Sequence, residues 1–213
     1  MPISVPMPTK NPGDVLTSTL WNSYLRDNLN KLLNQGHRVL TVAQFAALTG
    51  IEDGDEVYLE VDAANGIIWS LRYVAAEPTY KWRCFGGSPL VSLITADETT
   101  ISGAYSALAT PGPSLALPRS GDYDVVIETN YANSSSGVAS RMSYDIGGTG
   151  AVDADAVSCT SAFASLGRFT TVRRKQRKAG LTSVTLTAKY TGDGSNTSGF
   201  QYRSMELAPV RLI

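Results

Sequence analysis

Apolar and polar positions alternate along most of this chain, and the period departs from two only near the N-terminus. Trp21, Leu25, Leu29, Leu32 and Leu33 recur at three- and four-residue spacings. This predicts one amphipathic helix with a single apolar stripe, wetted on its other side by Asn22, Ser23, Arg26, Asp27, Asn30 and Lys31. Thr17 is its expected N-cap and Gly36 its stop. Ahead of it, Pro2, Pro6, Pro8 and Pro12 favour an extended leader that runs through Val15 and Leu16. Such a leader has no core of its own and is expected to dock on something. Leu25, Leu29 and Leu32 also fit heptad positions, over too short a span to choose between packing on the chain's own domain and a bundle on a symmetry axis.

From residue 37 the period-two pattern takes over. Thr41-Val42-Ala43-Gln44 reads as a capping box opening a short helix that ends at Gly50. Val57, Leu59 and Val61 share one face of a strand over 56–61. Ile67, Trp69, Leu71 and Tyr73 share one face of a second, and Asp62-Ala63-Ala64-Asn65-Gly66 between them is hairpin chemistry. A third strand over 80–85 carries Tyr80, Trp82 and Cys84 and stops at Gly86-Gly87-Ser88-Pro89, the expected domain boundary. Beyond it, strands are predicted over 121–131, 138–146, 184–190 and 200–208. The apolar end Pro209-Val210-Arg211-Leu212-Ile213 predicts a terminal strand locked into the sheet. The predicted fold is mainly β: an extended leader and helix (1–36), a small α+β module (37–89) and an antiparallel, jelly-roll-like β-sandwich (90–213).

Composition agrees with a turn-rich β protein. The 213 residues include 19 glycines, only 17% are charged, and the net charge is −1, too small to draw the chain to nucleic acid or an anionic membrane. No apolar run reaches the roughly 18 residues of a membrane span. Prolines stand where a signal peptide would need a charged and then an apolar region, so export by a standard route is not expected. Cys84 and Cys159 are far apart and fall in different predicted domains, which argues against a disulfide framework.

Catalytic chemistry is poorly represented. His37 is the single histidine and follows a glycine, with no readable triad partner, and zinc would need more ligands than the chain supplies. Asp153 and Asp155 would share a face if their segment were extended, which is the basis of the one enzymatic reading, a glycan depolymerase. Asp193-Gly194-Ser195-Asn196-Thr197 lacks the spaced carboxylates of a calcium loop, and Gly147-Gly148-Thr149-Gly150 reads as a turn. No enzyme, cofactor or metal is expected. Trp69, Tyr73, Tyr80 and Trp82 could stack on sugar rings, but their alternation within strands favours core packing. The sharpest charge feature is Arg173, Arg174, Lys175, Arg177 and Lys178, five cations in six positions. Three readings stay open: an exposed strand edge or loop, pairing with a neighbouring subunit, or a patch for an anionic glycan. No aromatic is interleaved for nucleic-acid stacking.

Asn11-Pro12-Gly13-Asp14-Val15-Leu16-Thr17 with Trp21-Asn22 and Leu25-Arg26-Asp27-Asn28-Leu29 resembles the N-termini of minor virion proteins of tailed bacteriophages. So do Asp53-Gly54-Asp55-Glu56-Val57, Gly66-Ile67-Ile68-Trp69-Ser70-Leu71-Arg72-Tyr73, Tyr80-Lys81-Trp82 and Gly86-Gly87-Ser88-Pro89-Leu90. The resemblance covers residues 11–90; more loosely, 90–213 resembles the trimeric jelly-roll knobs of fibres. It implies a fibre, spike or tail-tip appendage held by its N-terminal segment to other virion proteins. Pro6, Pro8, Pro12, Val15, Leu16, Trp21, Leu25, Leu29 and Leu32 would form the anchor or oligomer interface. It also implies a homo-oligomer, with a trimer favoured, a location in the virion after synthesis in the host cytoplasm, and a head that either attaches to a host-surface glycan or decorates the particle without binding a receptor. A carbohydrate-binding adhesin is the rival reading.

Overall fold

The computed structural model describes residues 39–213, and its regular structure is almost all strand. The leader, the striped helix and His37 lie outside the described residues. β1 (Val39–Thr41) leads directly into α1 (Val42–Ala46). The Thr41 hydroxyl accepts the Gln44 amide and the Gln44 side chain accepts the Thr41 amide, so the capping box forms as predicted. The helix ends at Ala46, short of Gly50, which lies in the following loop at φ 67°.

β2 (Glu56–Asp62) and β3 (Ile67–Tyr73) make the predicted hairpin. Asp62 closes its turn by accepting from both the backbone and the side-chain nitrogen of Asn65. β4 (Trp82–Gly87) is shifted from the predicted 80–85, and Tyr80 stays in the turn before it. Next come β5 (Leu90–Ile94), β6 (Glu98–Thr100), β7 (Ser114–Ala116), β8 (Gly121–Asn133) and β9 (Ala139–Ile146). A single 3-10 turn, η1 (Asp153–Asp155), precedes β10 (Val157–Thr160), β11 (Ser165–Leu181), β12 (Thr185–Thr191) and β13 (Ser198–Leu212).

One sheet runs β1-β2-β3-β4-β13-β8-β11, with β5 and β6 also pairing β13; the other runs β10-β9-β12-β7. Within the sandwich the antiparallel pairs are nested. The β5–β6 segment pairs with β13, β7 with β12, β8 with β11, and β9 with β10. Pairing the first strand with the last and so on inward is jelly-roll winding.

β13 is the spine. One of its edges faces β8 along nearly its whole length. The other is shared in turn by β6 at Ser198–Phe200, β5 at Arg203–Leu207 and β4 at Arg211–Leu212. The Gly86–Pro89 cluster, expected to separate two domains, therefore ends β4 without interrupting the sheet. Gly87 has φ 115°, and a Cβ there would sit 2.3 Å from the Ile68 carbonyl oxygen, so the turn needs glycine. A single hydrophobic core reaches from Leu40 to Leu212. Trp69 of the 37–89 segment packs edge-on against Tyr123 of β8, ring centroids 6.2 Å apart. Arg211 on β13 donates to Glu77 at 2.7 Å and to Asp122 at 2.9 Å, and Asp122 also accepts the Gly180 amide. These contacts fasten the turn before β4 to the sandwich.

The sandwich has two distinct ends. Gly121, Leu181 and Leu212 mark the end that carries the β1–β4 segment. Asn133, Ser165, Ser198 and Thr100 mark the opposite end, where the 134–138, 161–164 and 192–197 loops emerge. At that far end the Asn133 amide donates to Ser140 at 3.3 Å and to Ser198 at 3.1 Å, a buried polar link between the two sheets.

Candidate functional site

β11 carries the basic run and forms the edge of the larger sheet, paired on one side to β8. Strand alternation splits the run between two faces. Arg173, Lys175 and Arg177 point outward and are exposed; Arg174, Gln176 and Lys178 point toward the second sheet and are partly buried. The two sets meet different partners.

The outward cations lie against carboxylates of β8 and β13. Arg173 reaches Glu128 at 3.5 Å and Glu206 at 3.1 Å; Lys175 and Arg177 reach Asp124 at 2.8 and 3.0 Å. Three cations thus stand beside three carboxylates, and the outer face carries matched charge rather than a basic field. Val126, an apolar residue on that side of β8, sits between Glu206 and Lys175 in register and is buried in this ladder. Burial of Asp124 would raise its carboxyl, but hydrogen bonds from Arg177 and Lys175, and their charges, outweigh it and hold the group below its ordinary value of 3.8. A depressed folded value contributes stability above the unfolded value and loses it as pH falls through the folded one. The urea midpoint is therefore expected to hold down to about pH 5 and to fall below about pH 4. Asp124→Asn should make that fall shallower; an equally steep fall in the variant would exclude Asp124 as a contributor.

The inward set closes the gap between the two sheet edges. Arg174 donates to the Ala156 carbonyl, Gln176 to the Ala154 carbonyl at 2.8 Å, and Lys178 pairs with buried Asp155 beside the Tyr144 ring. The sandwich edge is thus sealed by polar clamps where an apolar side chain would otherwise be expected. Asp153 and Asp155 do not share an extended face. They lie in η1, where Asp155 turns in to Lys178 and Asp153 stays exposed, accepting from Tyr105 at 2.7 Å. The chain is extended at Val152 and then closes the 3-10 turn through the Asp155 and Ala156 amides, which donate to the Val152 and Asp153 carbonyls. The two carboxylates are therefore not set up as a catalytic pair.

Of the aromatic set, Trp69 and Trp82 are core and Tyr73 packs against it, while Tyr80 stays half-exposed in the turn before β4. Trp69 and Trp82 are buried, and Trp82 packs on Phe45 and Tyr73 with ring centroids at 5.1 and 5.3 Å. Asp193 accepts from the Asn196 backbone and side chain and from the Ser195 backbone, which lowers its carboxyl to about 2; it closes a tight loop. Cys84 and Cys159 are free thiols, and burial pushes the Cys84 thiol up. Among the described residues no cluster of three or more His, Cys, Asp or Glu side chains could hold a metal, and no helix is long and apolar enough to cross a membrane. Glu206 and Arg203 escaped the sequence reading. Asp124 and Glu128 fall at alternate positions of β8 and so share a face, but nothing in the sequence indicated that β11 would lie beside them.

No protein-family model and no curated protein sequence matches the chain. Partial likenesses to solved structures exist. The C-terminal CBM6 of LamC, a marine laminarinase from Zobellia galactanivorans, is 16% identical, with 54% of this chain and 78% of that chain covered and a TM-score of 0.33. Eiger TNF from S. frugiperda is 12% identical, covering 59% and 94%, TM-score 0.37. The VP2 subviral particle of infectious bursal disease virus is 12% identical, covering 66% and 39%, TM-score 0.35. Each is too remote to assign this chain a function.

Proposed function

We propose that the chain is a structural component of a tailed-phage particle, an appendage held through its N-terminal end that displays the jelly-roll as a head. The observation that supports this reading is the polarity of the sandwich. The β1–β4 segment, entered directly from the N-terminal 38 residues, is joined to one end by β4–β13 pairing and by the Arg211 contacts to Glu77 and Asp122. The loops at the opposite end are left for display. The proline-rich leader expected from the sequence has no core of its own, so burial by a partner would order it, which suits a particle surface. The head is a non-catalytic module; its far loops and the polar outer face of the smaller sheet are where a host-surface glycan would bind.

Deletion of residues 1–38 provides the test. The reading expects loss of incorporation into particles, while the remaining chain keeps its circular dichroism spectrum and cooperative melting, because it retains the core described from Leu40 to Leu212. Unchanged incorporation of the truncated chain would refute an N-terminal anchor.

A further inference from the structure

The two outer faces of the sandwich differ in kind. Among the described residues, every large hydrophobic residue that is exposed within a strand belongs to the larger sheet, and none belongs to β7, β9, β10 or β12. Across β1 to β5 such residues gather on the outer face. Val39 of β1 is 49% exposed and pairs with Tyr58 on β2. Phe85 of β4 is 53% exposed beneath the Arg72 guanidinium, and Val91 and Leu93 of β5 are 55% and 54% exposed. Half-buried Ile68 of β3 faces the same way, since its neighbour Trp69 turns into the core. The other face of this half is filled, for Leu40, Leu59, Trp69 and Leu71 are all buried. Exposed apolar side chains gathered on one face and missing from the other mark a surface that is covered in use.

Its place in the chain says by what. The amphipathic helix expected from the sequence stops at Gly36, and only His37 and Arg38 separate that glycine from Val39 on β1. Three residues span at most about 10 Å, so a helix ending there is held at the margin of this face. From β1 to β4 is three strand spacings, about 14 Å, and β4 and β5 line the same edge of β13. From Leu33 back to Trp21 the apolar stripe is about 18 Å long as a helix. The stripe therefore matches the apolar row in length as well as in chemistry. A helix of this size is marginal in water without an apolar surface to pack on. A short tether holds it near the face at an effective concentration on the order of millimolar, ahead of a free partner.

We infer that the outer face of the larger sheet, from Val39 across Ile68 and Phe85 to Val91 and Leu93, is the docking surface for the apolar stripe of Trp21, Leu25, Leu29 and Leu32 of the same chain. The stripe crosses the strands with Leu32 on the β1 side and Trp21 on the β5 side, and Arg26 and Lys31 stay in water. This goes beyond the proposed appendage role and does not depend on it, since the stripe can pack on its own sheet whether or not the leader through Leu16 binds a particle.

The test uses the purified full-length chain, so that no particle protein can cover the face. Leu93→Cys and, as a control at an exposed position of the smaller sheet, Thr185→Cys are labelled with a maleimide, and fragment mass spectrometry separates the introduced thiols from Cys84 and Cys159. The thiol introduced by Leu93→Cys is expected to react at least tenfold more slowly than the one introduced by Thr185→Cys, at every protein concentration. Adding Leu25→Glu with Leu29→Glu is expected to bring the two rates together. Both glutamates lie outside the core described from Leu40 to Leu212, and circular dichroism reports folding separately. Equal rates without the glutamates would overturn the inference. So would protection that the glutamates leave intact, or protection lost on dilution, which would assign the cover to a second copy. Loss of particle incorporation by the chain lacking residues 1–38, with the Leu93→Cys variant of the full chain labelled as fast as the control, would leave the anchor standing and remove the docked stripe.

Discussion

Arg203→Ala is expected to lower folding stability by about 3–5 kcal/mol, the range seen when one partner of a buried ion pair is removed. Arg203 has no exposed surface, an unusual position for this side chain. Its guanidinium donates to the Thr110 and Ala96 carbonyls at 3.3 and 3.4 Å, lies 3.7 Å from Glu98, and sits 5.4 Å from the centre of the Tyr190 ring. Glu98 meanwhile accepts the Thr110 amide. Burial would raise the Glu98 carboxyl, but the Thr110 hydrogen bonds and the Arg203 charge together bring it below its ordinary value. Truncating Arg203 leaves two carbonyls and a carboxylate without their cation and opens a cavity against Tyr190. The bulge between Gln201 and Ser204, with Tyr202 at φ 48°, accompanies this arginine, so the fold bends its central strand where the ionic contact is made. Chemical denaturation followed by circular dichroism measures the loss. Adding Glu98→Gln should return part of it, because the uncompensated charge is gone while the Thr110 contact can remain. A loss under about 1 kcal/mol in the single variant would show that the contacts contribute little net stability.

Gly121→Ala should be nearly as damaging, at about 3 kcal/mol, the upper part of the range for overpacking. A Cβ on Gly121 would sit 2.1 Å from the Arg211 carbonyl oxygen and 2.9 Å from the Leu212 side chain. Backbone cannot yield there as a flexible side chain could, so the start of β8 and the end of β13 must separate. Leu212 is fully buried and pairs with both Gly121 and Trp82, so the separation also loosens the join to β4. Hydrogen exchange should show the effect as faster exchange in residues 210–213 than at the centre of β8. Gly167→Ala is the control: its nearest neighbour is the Ser165 hydroxyl at 3.7 Å, and the change should stay within about 0.5 kcal/mol. Comparable losses at both glycines would remove the steric explanation.

These two sites show where sequence reading reaches its limit. Gly121 opens a strand that alternation identified well: Tyr123, Val125, Ile127 and Tyr131 are all buried as expected. Its need for glycine arises from the carbonyl of Arg211, far along the chain, which local pattern does not contain. Arg203 lies in a strand correctly expected over 200–208, at a position local rules would leave in water. The β5, β6 and β7 strands are three to five residues long, too short for a period to show. β11 is the strand edge that was one of three readings of the basic run, but its extent was not legible because its inward positions are Arg174, Gln176 and Lys178, so polarity does not alternate along it.

The candidate surface divides in the same way. The five cations were visible as a run, because sequence proximity and charge are local properties. Their split into an outward ladder and an inward clamp required β11 to lie at the edge beside β8, and the carboxylates that match them come from residues 124, 128 and 206.

By itself the sequence determined what depends on neighbours in the chain: the mainly β character, the capping box at Thr41, the hairpin closed by Asp62 and Asn65, and the buried faces of β2, β3, β8 and β12. Period, turn chemistry and capping act over a few residues, so they can be read there. Only the tertiary structure decided that the 39–89 segment joins the sandwich as one sheet, that β13 is shared by β4, β5, β6 and β8, and that the basic run is split between an outer charge ladder and an inward clamp. Those outcomes rest on strand partners far apart in sequence, chosen by which apolar faces can be buried together in a single core.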